Sequence, residues 1–131
     1  MVKLEKVLVC VDLSPTSFKA LEWAIDISKK YEAELVVFHE LEDVYTMTKT
    51  SASFGMPAIP DLKEKAEKSV KQKLEPFLKE CKNYSFFMEA KGKTVDRLPE
   101  VVKEVSPDLT IISVDYERDI PKIESQILVI K

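Results

Sequence analysis

Short runs of apolar residues recur five times along the chain, and polar or amphipathic stretches separate them. The runs at 7–11, 35–39, 109–114 and 127–130 are nearly continuous, which is typical of strands buried on both faces of a parallel sheet. The run at 84–90 partly alternates, which predicts an edge strand with one wetter face. Strands that alternate with helices need right-handed crossovers, so the pattern predicts an α/β fold with helices on both faces of a parallel sheet.

The first two connections between these runs differ in character. Ser14 and Pro15 follow the first run, where they predict an N-cap and the first residue of a helix. After the second run, residues 41–60 show neither a helical nor a strand period and include Gly55. We therefore expect a long loop there, either a mobile segment or an ordered lid.

Two further helices are predicted in the second half of the chain. Asp61 caps the first of them, in which Pro76 predicts a kink near residues 73–75 because proline lacks an N–H and clashes with the preceding turn. Apolar spacing over 98–105 predicts the second, and Ser106 with the following proline ends it.

Length and charge exclude several classes of function. The 131 residues, 45% of them hydrophobic, are enough for one core, so we expect a single domain over 1–131. The 20 basic and 23 acidic residues are interspersed, which argues against a nucleic-acid partner or a membrane-surface patch. The apolar runs are too short for a membrane span and the first residues do not resemble a signal peptide, so we expect a cytoplasmic protein.

Two further compositional features bear on habitat and redox chemistry. The chain has 18 Lys and 15 Glu but two Gln and one Asn, a bias typical of thermophiles. Cys10 and Cys81 show neither metal-ligand spacing nor the density of a disulfide scaffold, so both are predicted to be buried free thiols.

Candidate site residues follow the ends of the apolar runs, because ligands of open α/β sheets bind beyond the carboxyl ends of the strands. These residues are Asp12, His39, Glu40, Gly92 and the segment 113–117. His39 is the only histidine, so the sequence cannot assemble a relay around a second imidazole, and a structural role is expected for it.

The order of these parts resembles the universal stress protein family, of which UspA is typical, over nearly the whole chain. The matching motifs are VDLSPTS after the first strand, FHE at the second, VSPDLTIIS at the fourth and ILVIK at the last. The resemblance implies a five-stranded parallel sheet in the order 3-2-1-4-5, with a flavodoxin-like or Rossmann-like fold of the adenine nucleotide alpha hydrolase-like kind. It also implies a homodimer formed through the last strand, residues Ile127, Leu128, Val129 and Ile130.

Many members of that family bind ATP, and the resemblance places the equivalent crevice at four residues of this chain. Asp12 stands at the adenine end, Gly92 matches a glycine after the third strand, and Ser113 precedes the turn that holds the phosphates. Glu40 departs from the family, since it replaces a small apolar residue near the adenine.

The phosphate turn is where this chain departs most. ATP-binding members resemble one another in a glycine-rich turn there, whose N–H groups cradle the phosphates at close range. The twelve residues 115–126 contain no glycine and carry four carboxylates against two basic side chains. Each carboxylate within about 4 Å of a phosphate would oppose binding by roughly 1 to 4 kcal/mol. Twelve residues are also too few for such a turn and a full-length helix, so we expect a degenerate crevice, no ATP and no cofactor.

Three functions remain open from the sequence. We favour a non-enzymatic stress-response or regulatory homodimer that acts through a protein partner or a small ligand. The alternative is a nucleotide-binding protein for ATP or AMP, with weak or no hydrolysis, in which Asp12 and Gly92 still hold the adenine. A third possibility is a receiver-like Mg²⁺ site built from Asp12, Asp115, Glu117 and Asp119, against which a solvated acidic loop is the simpler interpretation.

Overall fold

Five parallel strands form a single sheet in the computed structural model, which describes residues 2–57 and 59–131. The strands are β1 (Lys6–Cys10), β2 (Glu34–Glu40), β3 (Tyr84–Glu89), β4 (Leu109–Ser113) and β5 (Ile127–Ile130). Their order in the sheet is β3-β2-β1-β4-β5, and every neighbouring pair is parallel. Both the fold class and the strand order predicted from the sequence are confirmed.

Four α-helices connect the strands. They are α1 (Pro15–Tyr31), α2 (Glu42–Ser53), α3 (Leu62–Leu74) and α4 (Thr94–Val105). Two 3₁₀ segments complete the chain, a short one at Glu75–Phe77 and a longer one at Val114–Lys122. The helices in the described part of the chain are too short or too polar to cross a membrane.

The two faces of the sheet carry separate apolar clusters. Val7 and Val9 of β1 and the following Val11 pack with α1 and α3, whereas Leu8 and Cys10 pack with α4 on the opposite face. All five side chains are fully buried, and burial of a valine or leucine stabilises the fold by about 1.5 to 3 kcal/mol. The continuous apolar run of β1 therefore reflects burial on both faces, as the sequence predicted.

The start of α1 and the end of α4 follow the sequence predictions. Ser14 is the N-cap of α1 and its side chain accepts a hydrogen bond from the Ser17 N–H at 3.3 Å, while Pro15 occupies the first turn. Glu32 and Ser106 end α1 and α4 in the left-handed backbone region. The predicted N-cap at Ser14 and the predicted helix end at Ser106 are confirmed, whereas no prediction was made for Glu32 from the sequence.

The prediction of a long loop over 41–60 was wrong for residues Glu42–Ser53, which form α2. Its helical period is weak because Val44 is the buried residue of this helix. Glu42 and Asp43 stabilise its first turn by their interaction with the positive end of the helix dipole. The acidic first turn and the buried Val44, rather than an apolar stripe, are the stabilising features of this helix.

Two details around α3 also differ from the sequence predictions. Asp61 occupies the N-cap position, but its φ is 60° and its side chain makes no capping hydrogen bond. Pro76 does not kink α3, because the helix ends at Leu74 and the 3₁₀ turn Glu75–Phe77 accommodates the proline instead. The prediction of free buried thiols is confirmed, since Cys10 and Cys81 are both unpaired and buried.

Candidate functional site

The four predicted crevice residues lie along the carboxyl edge of the sheet, where the strands end. Asp12 follows β1, Glu40 ends β2, Gly92 lies between β3 and α4, and Ser113 ends β4. The strand order reverses direction between β1 and β4, so the crevice at which α/β proteins bind ligands falls between Asp12 and Ser113.

The side chain of Tyr116 spans this crevice. Its hydroxyl donates a hydrogen bond to Oδ2 of Asp12 at 2.7 Å, while Oδ1 of Asp12 accepts the N–H of Ser14 at 2.9 Å. Burial alone would raise the pKa of Asp12, but the hydrogen bonds from Ser14 and Tyr116 outweigh it and lower the pKa below its ordinary value. Burial and the bond to Asp12 raise the pKa of Tyr116, so a neutral phenol donates to an ionised carboxylate.

Leu13, which follows Asp12, has a φ of 69°, in the left-handed region that side chains other than glycine rarely adopt. This local turn carries the chain from β1 into α1 and brings the N–H of Ser14 back onto the carboxylate of Asp12. The hydrogen bond therefore compensates part of the backbone strain and fixes the side chain of Asp12.

Ser113 starts the 3₁₀ segment Val114–Lys122 rather than a phosphate turn. Its Oγ accepts the N–H of Asp115 at 3.1 Å and donates to Oδ2 of Asp115 at 3.0 Å. Asp119 of the same segment is 5% exposed, so this carboxylate is buried and does not face solvent. The 3₁₀ segment occupies the space between β4 and β5 where the sequence left no room for a full-length helix.

Glu40 is buried beside the turn that follows β3. Its Oε2 accepts the N–H groups of Lys91 at 2.6 Å and of Gly92 at 3.0 Å. Burial, with the neighbouring Glu89 carboxylate, raises the pKa of Glu40 to about 7. The structure thus brings Glu40 and Gly92 together, as the carboxyl-edge prediction placed them, but through a carboxylate that holds backbone amides.

Gly92 has no steric need to be glycine in this structure. A Cβ built on it would have Arg97 Cγ as its nearest neighbour, at 3.6 Å, which is an ordinary contact. The assignment of Gly92 as a nucleotide contact stays a prediction.

His39 ties β2 to the end of β1. Its Nδ1 lies 2.7 Å from the carbonyl oxygen of Val11, and burial lowers the pKa of the ring, so a neutral imidazole donates this hydrogen bond. The contact agrees with the structural role expected for this histidine.

A cavity of about 320 Å³ lies beside Asp12 and His39, beneath α2 and α3. This is near the lower limit for pockets that bind small molecules. Its polar lining combines four carboxylates with one histidine, one serine and one lysine: Asp12, His39, Glu40, Glu42, Asp43, Ser69 and Lys73.

The four carboxylates of the predicted Mg²⁺ alternative do not form a metal site. Asp12 is engaged by Tyr116, Asp115 is engaged by Ser113, and Asp119 is buried. Across residues 2–57 and 59–131, no group of three His, Cys, Asp or Glu side chains is arranged to hold a metal ion. The alternative interpretation, a solvated acidic loop, is also incomplete, because the side chain of Asp119 is buried.

The comparison with protein families identifies the family of this chain. Residues 3–121 match the model of the universal stress protein family. The chain belongs to the universal stress protein family. A universal stress protein from Aquifex aeolicus is 34% identical over 71 residues, which cover 54% of this chain and 53% of that protein.

Solved universal stress proteins share the fold. UspA from Lactobacillus plantarum superimposes with a TM-score of 0.75 at 14% identity, with 100% of both chains covered. A universal stress protein from Archaeoglobus fulgidus in complex with dAMP gives a TM-score of 0.67 at 18% identity, also with 100% of both chains covered. Another, in complex with cAMP, gives 0.63 at 17% identity over 98% of this chain and 97% of the other. At these identities the likeness establishes the fold alone.

Three residues of this site were missed by sequence reasoning. Tyr116 lay within the segment singled out after β4, but nothing in the sequence showed that its hydroxyl would reach Asp12. Glu89 and Arg97 form an ion pair of 2.6 Å next to Glu40. One indication of Glu89 was available in the sequence, because it is a charged residue near the end of the partly alternating run at 84–90.

Proposed function

We propose that this universal stress protein is a non-enzymatic regulatory module that acts as a homodimer and does not bind ATP through a phosphate-cradling turn. The observation that carries the proposal is the hydrogen bond between Tyr116 and Asp12, 2.7 Å long, across the crevice between β1 and β4. A ligand entering there would have to break a charge-assisted hydrogen bond, which is stronger than one between neutral groups.

The chemistry beyond β4 supports the same proposal. The residues from 115 to 126 offer four carboxylates and no glycine where backbone amides would have to approach phosphates. In the 3₁₀ segment Val114–Lys122, the N–H of Asp115 is already taken by Ser113. A triphosphate would therefore meet negative charge and occupied donors.

The absence of catalysis in this proposal rests on the state of the reactive side chains. His39 is neutral and its Nδ1 is bound to a backbone carbonyl. Burial raises the pKa of both Cys10 and Cys81, which keeps these thiols protonated and poorly nucleophilic. We infer that the module works as one cytoplasmic domain through binding and not through turnover.

Calorimetric titration tests the nucleotide part of the proposal. We expect no binding of ATP, ADP or AMP up to millimolar concentration, with or without Mg²⁺. Tyr116→Phe serves as a companion variant, because it removes the hydroxyl that closes the crevice but leaves the carboxylates in place. Submillimolar binding of ATP that is abolished by Asp12→Ala would overturn the proposal.

The second candidate is a nucleotide-binding function that uses the cavity beside Asp12. The complexes of related structures with dAMP and cAMP support it, as does the 320 Å³ of space on that side of Asp12. Because that space adjoins Glu42 and Asp43, adenosine should bind better than AMP if this candidate is right. Equal absence of binding for both ligands would exclude it.

The homodimer in the proposal uses β5, residues Ile127–Ile130. Two strands lie at the edges of the sheet, and β5 is entirely apolar whereas β3 carries Ser85 and Glu89. Pairing with the same strand of a second copy would satisfy its free backbone groups and cover its side chains. Leu128→Lys should give monomers in sedimentation velocity, whereas Tyr84→Lys on the opposite edge should leave the dimer intact. A dimer that survives Leu128→Lys would contradict this interface.

A further inference from the structure

The two oxygens of the Glu40 carboxyl group have unequal surroundings. Oε2 accepts two backbone N–H groups, those of Lys91 and Gly92. Oε1 is shielded from solvent and has no hydrogen-bond partner among the described residues. The residue as a whole is 3% exposed. An ionised carboxylate in this position would leave one charged oxygen buried and unsatisfied, which is strongly unfavourable.

The neighbour of Glu40 on the next strand is another carboxylate. In the parallel register of β2 and β3, Glu40 is paired with Glu89. Arg97 of α4 donates from Nε to Oε1 of Glu89 at 2.6 Å, and the ammonium group of Lys91 lies 3.7 Å from its Oε2. Glu89 is therefore held in its charged form, and a proton on Glu40 would give it a hydrogen bond to this carboxylate.

The pKa shifts of the pair agree with this geometry. Burial and the bond to Glu89 raise the pKa of Glu40. Burial acts in the same direction on Glu89, but the hydrogen bond from Arg97 outweighs it and lowers the pKa of Glu89 below its ordinary value. One proton shared by two adjacent carboxylates is the expected result, and it resides on Glu40.

Other titratable groups around Glu40 are either neutral or already paired. Cys10 of β1 is neutral, because burial raises the pKa of its thiol. Glu42 of α2 accepts a hydrogen bond from Thr94 Oγ1 at 2.9 Å, and Asp12 is paired with Tyr116. The negative charges of Glu42 and of Asp119, in the segment after β4, help to raise the pKa of Cys10.

We propose that protonated Glu40 holds the turn 90–93 and the start of α2 together, and that ionisation of Glu40 lets them separate. We call this pH-dependent set of contacts the joint. The contacts that would move are adjacent. The N–H of Leu41 donates to the carbonyl oxygen of Glu89 at 2.7 Å, and Thr94 at the start of α4 holds Glu42 at the start of α2. Ionisation strengthens the two N–H bonds to Oε2, but burial and the repulsion from Glu89 outweigh them, so the ionised carboxylate leaves its buried position and these contacts are lost together. Since Glu40 and the first residues of α2 line the cavity beside Asp12, the joint would control access to that cavity, whatever ligand it takes.

The test uses the complete chain and two NMR measurements on the wild type. The side-chain carboxyl carbon of Glu40 should titrate near neutral pH, well above the other glutamates. Protection of the Lys91 and Gly92 amides against hydrogen exchange, corrected for intrinsic exchange, should fall by up to about tenfold between pH 6 and pH 8. An ordinary carboxyl midpoint for Glu40, or protection that does not change with pH, would overturn the proposal.

Glu40→Gln keeps the side chain and its hydrogen bonds but removes the ability to ionise. The amide copies the protonated carboxyl, because its oxygen can accept from Lys91 and Gly92 while its NH₂ donates to Glu89. Protection at both amides should then stay high at pH 6 and at pH 8. Glu42→Gln is the matched control and should keep the wild-type pH dependence. A pH dependence that persists in Glu40→Gln would overturn the joint, and if this variant does not fold, the wild-type titration decides.

Discussion

Asp12 and Glu40 stand at the carboxyl ends of adjacent strands, yet their carboxyl groups are held in opposite ways. Each oxygen of Asp12 receives one donor, from Ser14 and from Tyr116. Both donors to Glu40 converge on one oxygen and leave the other with none. The donors to Asp12 outweigh its burial and lower its pKa below the ordinary value, whereas burial and the neighbouring Glu89 outweigh the two N–H donors to Glu40 and raise its pKa to about 7. The balance between burial, neighbouring charge and donors, rather than the strand position, decides which form the protein stabilises.

The two residues therefore act on stability in opposite directions as the pH changes. Asp12 has a lowered pKa in the fold, so its contribution is present above its ordinary pKa and is lost as the pH falls. Glu40 has a raised pKa, so its contribution is greatest below its ordinary value of 4.5 and is lost as the pH rises toward about 7. We expect a broad stability maximum on the acid side of neutrality.

Glu89→Ala should have the largest effect, because it removes the carboxylate that accepts hydrogen bonds from Arg97 and from protonated Glu40. The change leaves Arg97, with 20% of its side chain exposed, without its close partner. Loss of one member of a buried ion pair costs about 3 kcal/mol, which urea unfolding at pH 6 would measure. Glu104→Ala is the control, because Glu104 lies 3.7 Å from Arg97 with a half-exposed side chain and should cost less than about 0.5 kcal/mol. Equal losses for the two variants would show that Glu89 does not hold the cluster.

Tyr116→Phe should have an intermediate effect and bring Asp12 closer to the behaviour of Glu40. It removes a 2.7 Å hydrogen bond to a charged group, which is worth about 1.5 kcal/mol at pH 7. It should also raise the pKa of Asp12, as the loss of a donor to one oxygen requires. Tyr31→Phe, at a residue that is 56% exposed, is the control and should change neither quantity. An unchanged pKa of Asp12 would mean that Ser14 alone sets its value.

Asp12→Asn should have the smallest effect, and this effect should be seen near neutral pH and not in acid. At pH 7 the variant loses charge-assisted hydrogen bonds and about 1 kcal/mol of stability. The difference should shrink as the pH falls below 4, because the wild-type carboxylate then takes up a proton as well. Urea unfolding at pH 7 and in acid measures both values, and a difference that grows in acid would contradict the lowered pKa.

The sheet could be predicted from the sequence because buried strands appear as runs of consecutive apolar residues. Every residue from Val7 to Val11 is apolar, and in the structure these side chains are buried on both faces of the sheet. α2 contains no such run, since Val44 alone is buried in it, and this explains why its residues were predicted as a loop. Even so, the family resemblance fixed the strand order correctly.

The site could be predicted as a location but not as a network of contacts. Strand ends placed Asp12, Glu40, Gly92 and Ser113 at one edge, where the structure has them. The hydrogen bond between Tyr116 and Asp12 joins residues 104 positions apart, and its geometry depends on a 3₁₀ segment that was not predicted from the sequence. Similarly, the pairing of two glutamates depends on the register of β2 with β3, which a single sequence does not specify.

The small buried surface of α2 has a consequence for the integrity of the chain. A helix anchored by one side chain opens at little cost, so we expect a protease to cleave there first. The fragment before the cut would contain β1 and β2, and the fragment after it β3, β4 and β5. Because the sheet order is β3-β2-β1-β4-β5, the first pair lies between strands of the second fragment on both sides. The nicked protein should therefore stay interlocked, and the two pieces should reassemble when mixed, as in a split reporter.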